Sequence, residues 1–211
     1  MANPTSQVVF CGENPELRLF REGTEEMVAI ASYWQCSYSA YGQGQVLIVW
    51  TSPDGTGLGA QSRHAIYADN LPLAHFLAQT LVQYFDGFQT LEIGGLTPIP
   101  ARLVRAIDPR RDYRVFCYSE HDTLELLWGQ VLDTRLPGSY PNLFKRSDDE
   151  IQYDVHNVIC PCGDARLWIN GQAAAGQLVH FHDGTRHRSN AFLAYSETWV
   201  EHRPASPSSG S

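Results

Sequence analysis

The sequence predicts a mainly β protein, an antiparallel barrel or sandwich with one amphipathic helix. Many short apolar runs bounded by Gly, Pro, Asn or Asp indicate strands joined by turns. In a single stretch, residues 71–85, apolar side chains instead recur every three or four positions, as in a helix packed on one side. Ten Tyr, nine Phe and five Trp, within an apolar content of 43%, indicate a folded globular domain.

The first half of the chain contains the most apolar strand candidates. Short strands are predicted at residues 8–10 and 17–20. Residues 46–50 and the first part of residues 27–38 are apolar at both odd and even positions. We therefore expect central strands buried on both faces. Residues 60–67 are expected to pair back against them.

The predicted helix has a clear beginning. Asn70 can accept hydrogen bonds from the free N–H groups of the first turn, and Pro72 lies where its missing donor costs nothing. The apolar face, expected to pack against the sheet, consists of Leu73, Phe76, Leu77, Leu81, Tyr84 and Phe85. The opposite face, expected to contact water, carries His75, Gln79 and Gln83.

The second half is predicted to continue as a series of short strands. A proline-rich loop at residues 94–100 is the best candidate for an internal boundary, although one domain over residues 1–203 is the simpler interpretation. The strands are expected at residues 103–107, 113–119, 123–128, 130–135, 151–160, 165–170, 174–181 and 190–200. Residues 136–149 and 161–164 are interpreted as a loop and a turn, Asn170-Gly171 as a hairpin turn, and residues 204–211 as a disordered tail.

Glu197 is the first candidate for acid–base chemistry. Strict alternation along the last strand places it on the same face as Ala191, Leu193, Tyr195 and Trp199. If this face points inward, desolvation favours the neutral carboxyl group and raises its pKa, which suits a catalytic acid or base. The alternative is a structural Glu197 that reaches water or pairs with an arginine near the end of the sheet.

Two further groups of residues could carry chemistry. Asp154 and His156 lie two positions apart on one face of a predicted strand, where a carboxylate can orient an imidazole for acid–base catalysis. If that face meets water, both are ordinary surface residues. His180, His182 and His187 could bind a divalent metal such as zinc, because three imidazoles leave one position open for water. The alternative is an exposed polar loop whose arginines repel a metal ion, and no other cofactor is expected.

Aromatic residues on the predicted strands suggest a cavity that binds a small molecule. A barrel of eight or more strands can enclose a small molecule, and a wall of Trp and Tyr suits a largely apolar one. We expect the cavity to be lined by Trp34, Trp128, Trp168, Tyr195 and Trp199.

Many short antiparallel strands with a single amphipathic helix resemble the lipocalin-like, or calycin, ligand barrels over most of the chain. The resemblance is architectural and implies a ligand-binding barrel. The lipocalin G-x-W motif near the first strand is missing, because Ser32 and Tyr33 precede Trp34. We therefore assign no family, and a shared fold does not by itself specify a function.

Composition and motifs argue against several classes of protein. The net charge of −8 disfavours nucleic-acid binding, which requires clustered cations. No run of about 18 apolar residues is present, so we expect no membrane span. The first residues lack the features of a signal peptide and the cysteine spacing suggests reduced thiols, so a cytoplasmic protein is expected. Without G-x-S-x-G or H-E-x-x-H, elbow-type serine hydrolases and helical-motif zinc peptidases are poor fits.

Three functions remain open. The leading hypothesis is a barrel that binds a small, largely apolar molecule and, if it is an enzyme, catalyses its isomerisation, cyclisation or hydration by acid–base chemistry. The second is a metal-dependent enzyme that uses the three histidines. The third is a non-catalytic interaction module that binds a partner protein through a sheet edge or the helix.

Overall fold

The computed structural model describes residues 5–53, 62–108, 112–133, 136–145 and 151–203. Within these ranges the protein is mainly β, as predicted, with a single α-helix. The strands are β1 (Thr5–Glu13), β2 (Glu16–Phe20), β3 (Met27–Ser39), β4 (Gly44–Thr51), β5 (His64–Ala68), β6 (Ile99–Pro100), β7 (Arg102–Asp108), β8 (Asp112–Tyr118), β9 (Thr123–Val131), β10 (Leu136–Lys145), β11 (Gln152–Ile169), β12 (Gln172–Ala173), β13 (His180–His182), β14 (His187–Ser189) and β15 (Ala191–Arg203).

Thirteen of these strands belong to one sheet, and β13 and β14 form a separate hairpin. Hydrogen-bonded neighbours follow the order β6-β5-β4-β3-β1-β15-β11-β9-β8-β7, and only the short pair β5 and β6 is parallel within this described order. In addition, β10 and β12 pair with β11, while β2 pairs with β3 and β15. Strands from both sides of residues 94–100 therefore share one sheet.

The sheet curls so that β3, β4 and β5 face β7, β8 and β9. At one edge the backbone N–H of Ala101 donates to the carbonyl oxygen of Ala68 at 2.8 Å, next to the start of β7. Across the interior, the Tyr67 hydroxyl of β5 donates to Oδ2 of Asp122, just before β9, also at 2.8 Å. Two parts of one curled sheet therefore enclose the interior, as in a barrel or a sandwich.

The helical segment, residues 71–95, packs on the other side of the sheet. Its parts are α1 (Leu71–Phe76), a π-helical turn (Leu77–Leu81), a 3₁₀ turn (Val82–Tyr84) and a second 3₁₀ turn (Ile93–Gly95). Oδ1 of Asn70 accepts a hydrogen bond from the backbone N–H of Leu73 at 3.1 Å, which confirms the predicted cap. The predicted apolar face is buried or half-buried and the opposite face is exposed.

Within the described ranges, no helix combines the length and the apolar character that a bilayer crossing requires.

Buried apolar side chains form two cores, one on each side of the sheet. The inner core, enclosed by the curled sheet, includes Leu17, Ala31, Tyr33, Leu47, Val49, Tyr67, Tyr113, Leu126, Trp128, Leu167 and Leu193. The helix-side core, between the sheet and the helical segment, includes Phe10, Ile30, Trp34, Val46, Ile48, Leu73, Leu77, Leu81, Tyr153 and Trp199. Because β3 and β4 contribute to both cores, the prediction that these strands are buried on both faces is confirmed.

Two predicted breaks in the sheet are strands in the structure. The turn predicted at residues 161–164 is wrong, because β11 runs through it and pairs first with β15 and then, from Cys162 onward, with β9. The loop predicted over residues 136–149 is wrong for residues 136–145, which form β10 and pair with β11. At residues 161–164, hydrogen bonds to strands distant in sequence outweigh the local turn signal of Pro and Gly, whereas residues 136–145 pair with the next strand along the chain.

The segment after β11 contains one confirmed turn and one wrong strand. Asn170 and Gly171 have φ values of 52° and 79°, as the tight turn of an Asn-Gly hairpin requires. Of the strand predicted at residues 174–181, only its last two residues are in β13. Gly176 has a φ of 97°, which is incompatible with a regular strand. The predicted tail at residues 204–211 lies outside the described residues.

Candidate functional site

Glu197 lies on the helix side of β15, because this strand contains a β-bulge. The pairing of β15 with β11 shifts register at Tyr195, which is an extra residue without a partner on β11. An extra residue reverses the alternation of side chains beyond it. Leu193 therefore belongs to the inner core, whereas Glu197 shares the helix side with Trp199. The prediction of a single face from Leu193 to Trp199 is wrong.

The carboxyl group of Glu197 is buried and hydrogen-bonded, with only 2% of the residue exposed. Its Oε1 accepts hydrogen bonds from Nε1 of Trp199 at 2.7 Å and from Nδ2 of Asn14 at 3.1 Å. Oδ1 of Asn14 in turn accepts a hydrogen bond from the Ser32 hydroxyl at 2.7 Å. Groups from β15, from β3 and from the connection between β1 and β2 thus orient this acid.

Burial raises the pKa of Glu197 to about 7, because the charged carboxylate loses its contact with water. Hydrogen bonds from Trp199 and Asn14 favour the charged form and limit this rise, while repulsion from the Glu16 carboxylate adds to it. The group can therefore gain or lose a proton near neutral pH, which is the property required of a general acid or base.

Glu16 is a second buried carboxyl group on the helix side. Its Oε1 pairs with Nη2 of Arg18 at 2.6 Å, and burial raises its pKa while Arg18 limits the rise. Within the described part of the chain, Oε2 of Glu16 and Nε1 of Trp34 are buried without a hydrogen-bond partner. Buried polar atoms are almost always paired, so these two atoms are candidates to bind another molecule.

Aromatic rings surround these polar groups. Phe85 of the helical segment lies 5.8 Å from Trp34 and 5.7 Å from Trp199, measured between ring centroids. Phe10 contacts Trp34 at 5.0 Å, and Tyr153 contacts Trp199 at 6.1 Å. These five residues, here named the aromatic cluster, include two of the five predicted ligand-binding residues.

The other three predicted ligand-binding residues lie elsewhere. Trp128 belongs to the inner core, where its Nε1 donates to the backbone oxygen of Glu16 at 2.9 Å. Tyr195 is 40% exposed, and its ring centroid is 6.3 Å from that of Tyr113. Trp168 is half-buried and alternates with inner-core residues of β11, so it points away from the inner core. The five predicted ligand-binding residues therefore lie on both sides of the sheet and do not line one cavity.

Asp154 and His156 lie on one face of β11, as predicted, but they do not form the expected pair. Oδ1 of Asp154 accepts the backbone N–H of Asn142 at 2.7 Å, and its Oδ2 lies 2.9 Å from Nε2 of His202. His156 is exposed, and its Nδ1 lies 3.0 Å from the Ser139 hydroxyl. The imidazole that contacts Asp154 is therefore His202, on the neighbouring strand β15.

His180, His182 and His187 lie on the β13–β14 hairpin. His182 and His187 are cross-strand partners whose ring centroids are 4.8 Å apart, whereas the partner of His180 is Ser189. Most of the hairpin is exposed. Among the described residues, no group of three or more His, Cys, Asp or Glu side chains is placed to hold a metal ion. The geometry therefore does not support the three-histidine site.

Surface grooves border the helical segment. One of about 710 Å³ lies at its start and is lined by residues that include Gln45 and Asp69, and one of about 670 Å³ is lined by Trp50, His64 and residues between 90 and 96. A smaller one, of about 300 Å³, is lined by residues that include Ile93. Glu197 lines none of these grooves.

Glu197 and Asp154 were predicted from the sequence, but the residues around them were not. Asn14 precedes Pro15 and has the character of a turn residue, while Glu16 and His202 are ordinary polar positions of alternating strands. Only the pairing of β1, β2, β11 and β15 brings these residues to the two acids, so no local pattern could have found them.

In comparisons with protein-family models, curated proteins and solved structures, the chain has no significant match.

Proposed function

We propose that the protein binds a small, largely apolar molecule within the aromatic cluster, with Glu197 and Glu16 as polar anchors. The observation that carries this proposal is the buried Glu197 carboxyl group beside Trp199, in the same cluster as the unpartnered Nε1 of Trp34. Apolar walls with a few convergent polar groups are typical of small-molecule sites.

In this proposal the ligand takes the place of Phe85 when the helical segment moves. Phe85 is half-buried and contacts both Trp34 and Trp199 from above. The segment changes from α to π to 3₁₀ geometry within residues 71–84, and Glu92 has a left-handed φ of 48°. Such interruptions of the regular helical hydrogen bonds frequently accompany functional sites and hinges.

The polar atoms in the cluster favour a ligand with a hydroxyl or carbonyl group. Nε1 of Trp34 can donate a hydrogen bond, and Oε2 of Glu16, when ionised, can accept one. The surrounding rings favour a flat or conjugated hydrocarbon body, which can stack against them or meet them edge to face. An apolar alcohol or ketone combines these properties.

Acid–base catalysis on the bound molecule is a second candidate function, favoured by the pKa of about 7 for Glu197. A carboxyl group with this pKa can take up and return a proton at neutral pH. Isomerisation, cyclisation and hydration of an apolar molecule are reactions that one such group can serve.

Native mass spectrometry after incubation with a library of small apolar alcohols and ketones tests the binding proposal. We expect a retained ligand whose affinity falls at least about tenfold in Trp34→Phe and Trp199→Phe, equivalent to about 1.4 kcal/mol. Trp168→Phe is the matched control and should bind normally. Absence of any retained ligand, or equal losses in all three variants, contradicts the proposal.

Catalysis is tested by product analysis with the ligand that binding identifies. Glu197→Gln preserves the shape of the side chain but cannot transfer a proton, so we expect retained binding and at least about a hundredfold loss of product formation. Product formation at the wild-type rate by Glu197→Gln excludes this residue as the catalytic group.

We also propose a cytoplasmic location. All five cysteines are free thiols, and unpaired thiols are typical of reducing compartments. Cell fractionation should recover the protein with cytoplasmic markers, and recovery with secreted proteins contradicts this part of the proposal.

A further inference from the structure

Ser6, His202 and Asp154 form a row across the adjacent strands β1, β15 and β11. Ser6 and His202 are direct cross-strand partners, and Asp154 lies diagonally across from His202, whose direct partner on β11 is Gln152. Side chains alternate along a strand, so this row lies on the side of the sheet opposite to Glu197. It is therefore separate from the ligand site proposed above.

Within the row, the imidazole of His202 lies between Ser6 and Asp154 and contacts both. The Ser6 hydroxyl lies 2.8 Å from Nδ1 of His202, and Nε2 of His202 lies 2.9 Å from Oδ2 of Asp154. With its proton on Nε2, the imidazole faces the carboxylate with a donor and the serine with an acceptor. Nε2 lies within ion-pair distance of Asp154, but the contact does not have the geometry of a hydrogen bond. Catalytic hydrogen bonds are often poorly aligned before substrate binds.

Asp154 is held in its charged form. Its Oδ1 accepts the backbone N–H of Asn142 at 2.7 Å, and this hydrogen bond is the main cause of a lowered pKa, to which the contact with His202 adds. A carboxylate in this position selects the tautomer of the imidazole and stabilises the imidazolium that forms during proton transfer.

We propose that Ser6 is a nucleophile activated by His202, with Asp154 as a positioning residue, and that the row hydrolyses small esters. The serine stands on a strand rather than on a sharp strand-to-helix turn, so the G-x-S-x-G motif is not needed for this geometry. Arrangements of serine, histidine and aspartate are recognised by their contacts and not by their order in the chain.

In the first step, Oγ of Ser6 bonds to the ester carbonyl carbon while its proton passes to Nδ1 of His202. The tetrahedral intermediate then breaks the bond to the alcohol, which leaves with that proton, and the acyl group stays on Ser6. In the second step, a water oxygen bonds to the acyl carbon and gives a proton to His202. The acid leaves as this proton returns to Oγ, so one ester and one water yield one acid and one alcohol.

Val8 and Val200 indicate which acyl groups fit. They are cross-strand partners, two residues along β1 and β15 from Ser6 and His202 on the same face, and Val8 is 40% exposed. A short apolar acyl chain can contact this pair while its carbonyl carbon lies at Ser6. The substrate class is therefore an ester with a short apolar acyl chain.

Ser139 and His156 provide an internal control. The Ser139 hydroxyl lies 3.0 Å from Nδ1 of His156, and both residues are exposed, as Ser6 is. In the part of the chain that the structure describes, no carboxylate forms an ion pair with His156, and the charge interaction of His156 with Asp154 is the weakest cause of the lowered pKa of Asp154. A faster reaction of Ser6 would therefore report the direct contact of Asp154 with His202.

Labelling with a serine-directed phosphonofluoridate and peptide mass spectrometry compares the two serines in one molecule of the full chain. We expect Ser6 to react about a hundredfold faster than Ser139, in the range of general-base assistance. Asp154→Asn and His202→Gln should remove that difference, with a much smaller effect on the rate at Ser139 and no change in the circular dichroism spectrum. Hydrolysis of p-nitrophenyl butyrate should be lost in Ser6→Ala.

Equal labelling of Ser6 and Ser139 in the wild-type protein overturns the proposal. Wild-type ester hydrolysis by Ser6→Ala, or an unchanged Ser6 rate in Asp154→Asn, overturns it as well. A merely structural Asp154 would leave the ratio of the two labelling rates unchanged. None of these outcomes depends on the aromatic cluster, so the two proposals fail or succeed separately.

Discussion

Trp199 donates a hydrogen bond of 2.7 Å from Nε1 to Oε1 of Glu197, two residues earlier on the same face of β15. The bond links a fully buried ring to a carboxyl group that burial pushes towards its neutral form. It joins the two residues on which the proposed ligand site depends. Because burial raises the pKa of Glu197, the protonation of this group affects the stability of the fold.

Glu197→Gln should remove a pH dependence of the free energy of unfolding between pH 4.5 and 7. The pKa of Glu197 is about 7 in the folded protein and near 4.5 in the unfolded chain, so the folded state keeps a proton that the unfolded state loses. The resulting stability is complete below pH 4.5 and is lost as the pH rises through 7. Two and a half pKa units correspond to roughly 3 kcal/mol.

Urea unfolding of both proteins between pH 4.5 and 7.5 measures this difference. The wild-type protein should lose stability relative to the variant as the pH rises. Parallel curves for the two proteins would show that Glu197 titrates normally in the folded state.

Trp199→Phe should destabilise the fold by about 3 kcal/mol, through a lost hydrogen bond to a buried acid and a cavity beside Phe85 and Tyr153. The pKa of Glu197 should rise further, because its strongest hydrogen bond favours the charged form. Trp168→Phe, at a half-buried position on the outside of the inner core, should cost less than half as much in the same unfolding measurement. Equal costs would contradict the assignment of Trp199 to a buried site.

Asp122→Ala should cost about 3 kcal/mol, because Asp122 is buried and joins β5 to the start of β9. It accepts hydrogen bonds from the Tyr67 hydroxyl at 2.8 Å and from Nδ2 of Asn170 at 3.2 Å, and it pairs with Arg63. Its removal leaves a buried tyrosine hydroxyl without an acceptor.

Asp164→Ala is the matched control for Asp122→Ala. Asp164 pairs with Arg166 at 3.2 Å, but both side chains are well exposed, so the expected change is within about 0.5 kcal/mol. Thermal or urea unfolding of the two variants should separate them clearly. Similar midpoints would show that the contacts of Asp122 do not hold the curled sheet together.

Gly171→Ala should destabilise the protein by about 1 kcal/mol through backbone conformation alone, because Gly171 has a φ of 79° and no neighbouring atom within 4 Å of an added methyl group. Gly95→Ala is the control, since its methyl group also meets nothing within 4 Å and its φ is not left-handed. It should be neutral or slightly stabilising. The difference between their unfolding midpoints in urea tests the Asn-Gly hairpin.

Local sequence patterns correctly predicted the elements whose structure depends on residues close in sequence. The helix beginning at Asn70, the doubly buried strands β3 and β4 and the turn at Asn170-Gly171 were all predicted from residues close in sequence. Each depends on a periodicity or a backbone preference that acts over a few residues. The prediction of a turn around Pro161 was wrong, because β11 pairs there with β15 and then with β9. Residues near Pro161 do not indicate which strands will be its neighbours.

The sequence by itself determined the mainly β class, from many short apolar runs, and the proximity of Glu197 to Trp199, from alternation along one strand. The tertiary structure decided that the pair faces the helical segment, because one extra residue at Tyr195 reverses the alternation. It also decided that His202, and not His156, contacts Asp154. The physical reason is the same for both results: the register between strands depends on hydrogen bonds to distant residues, whereas alternation depends only on the chain itself.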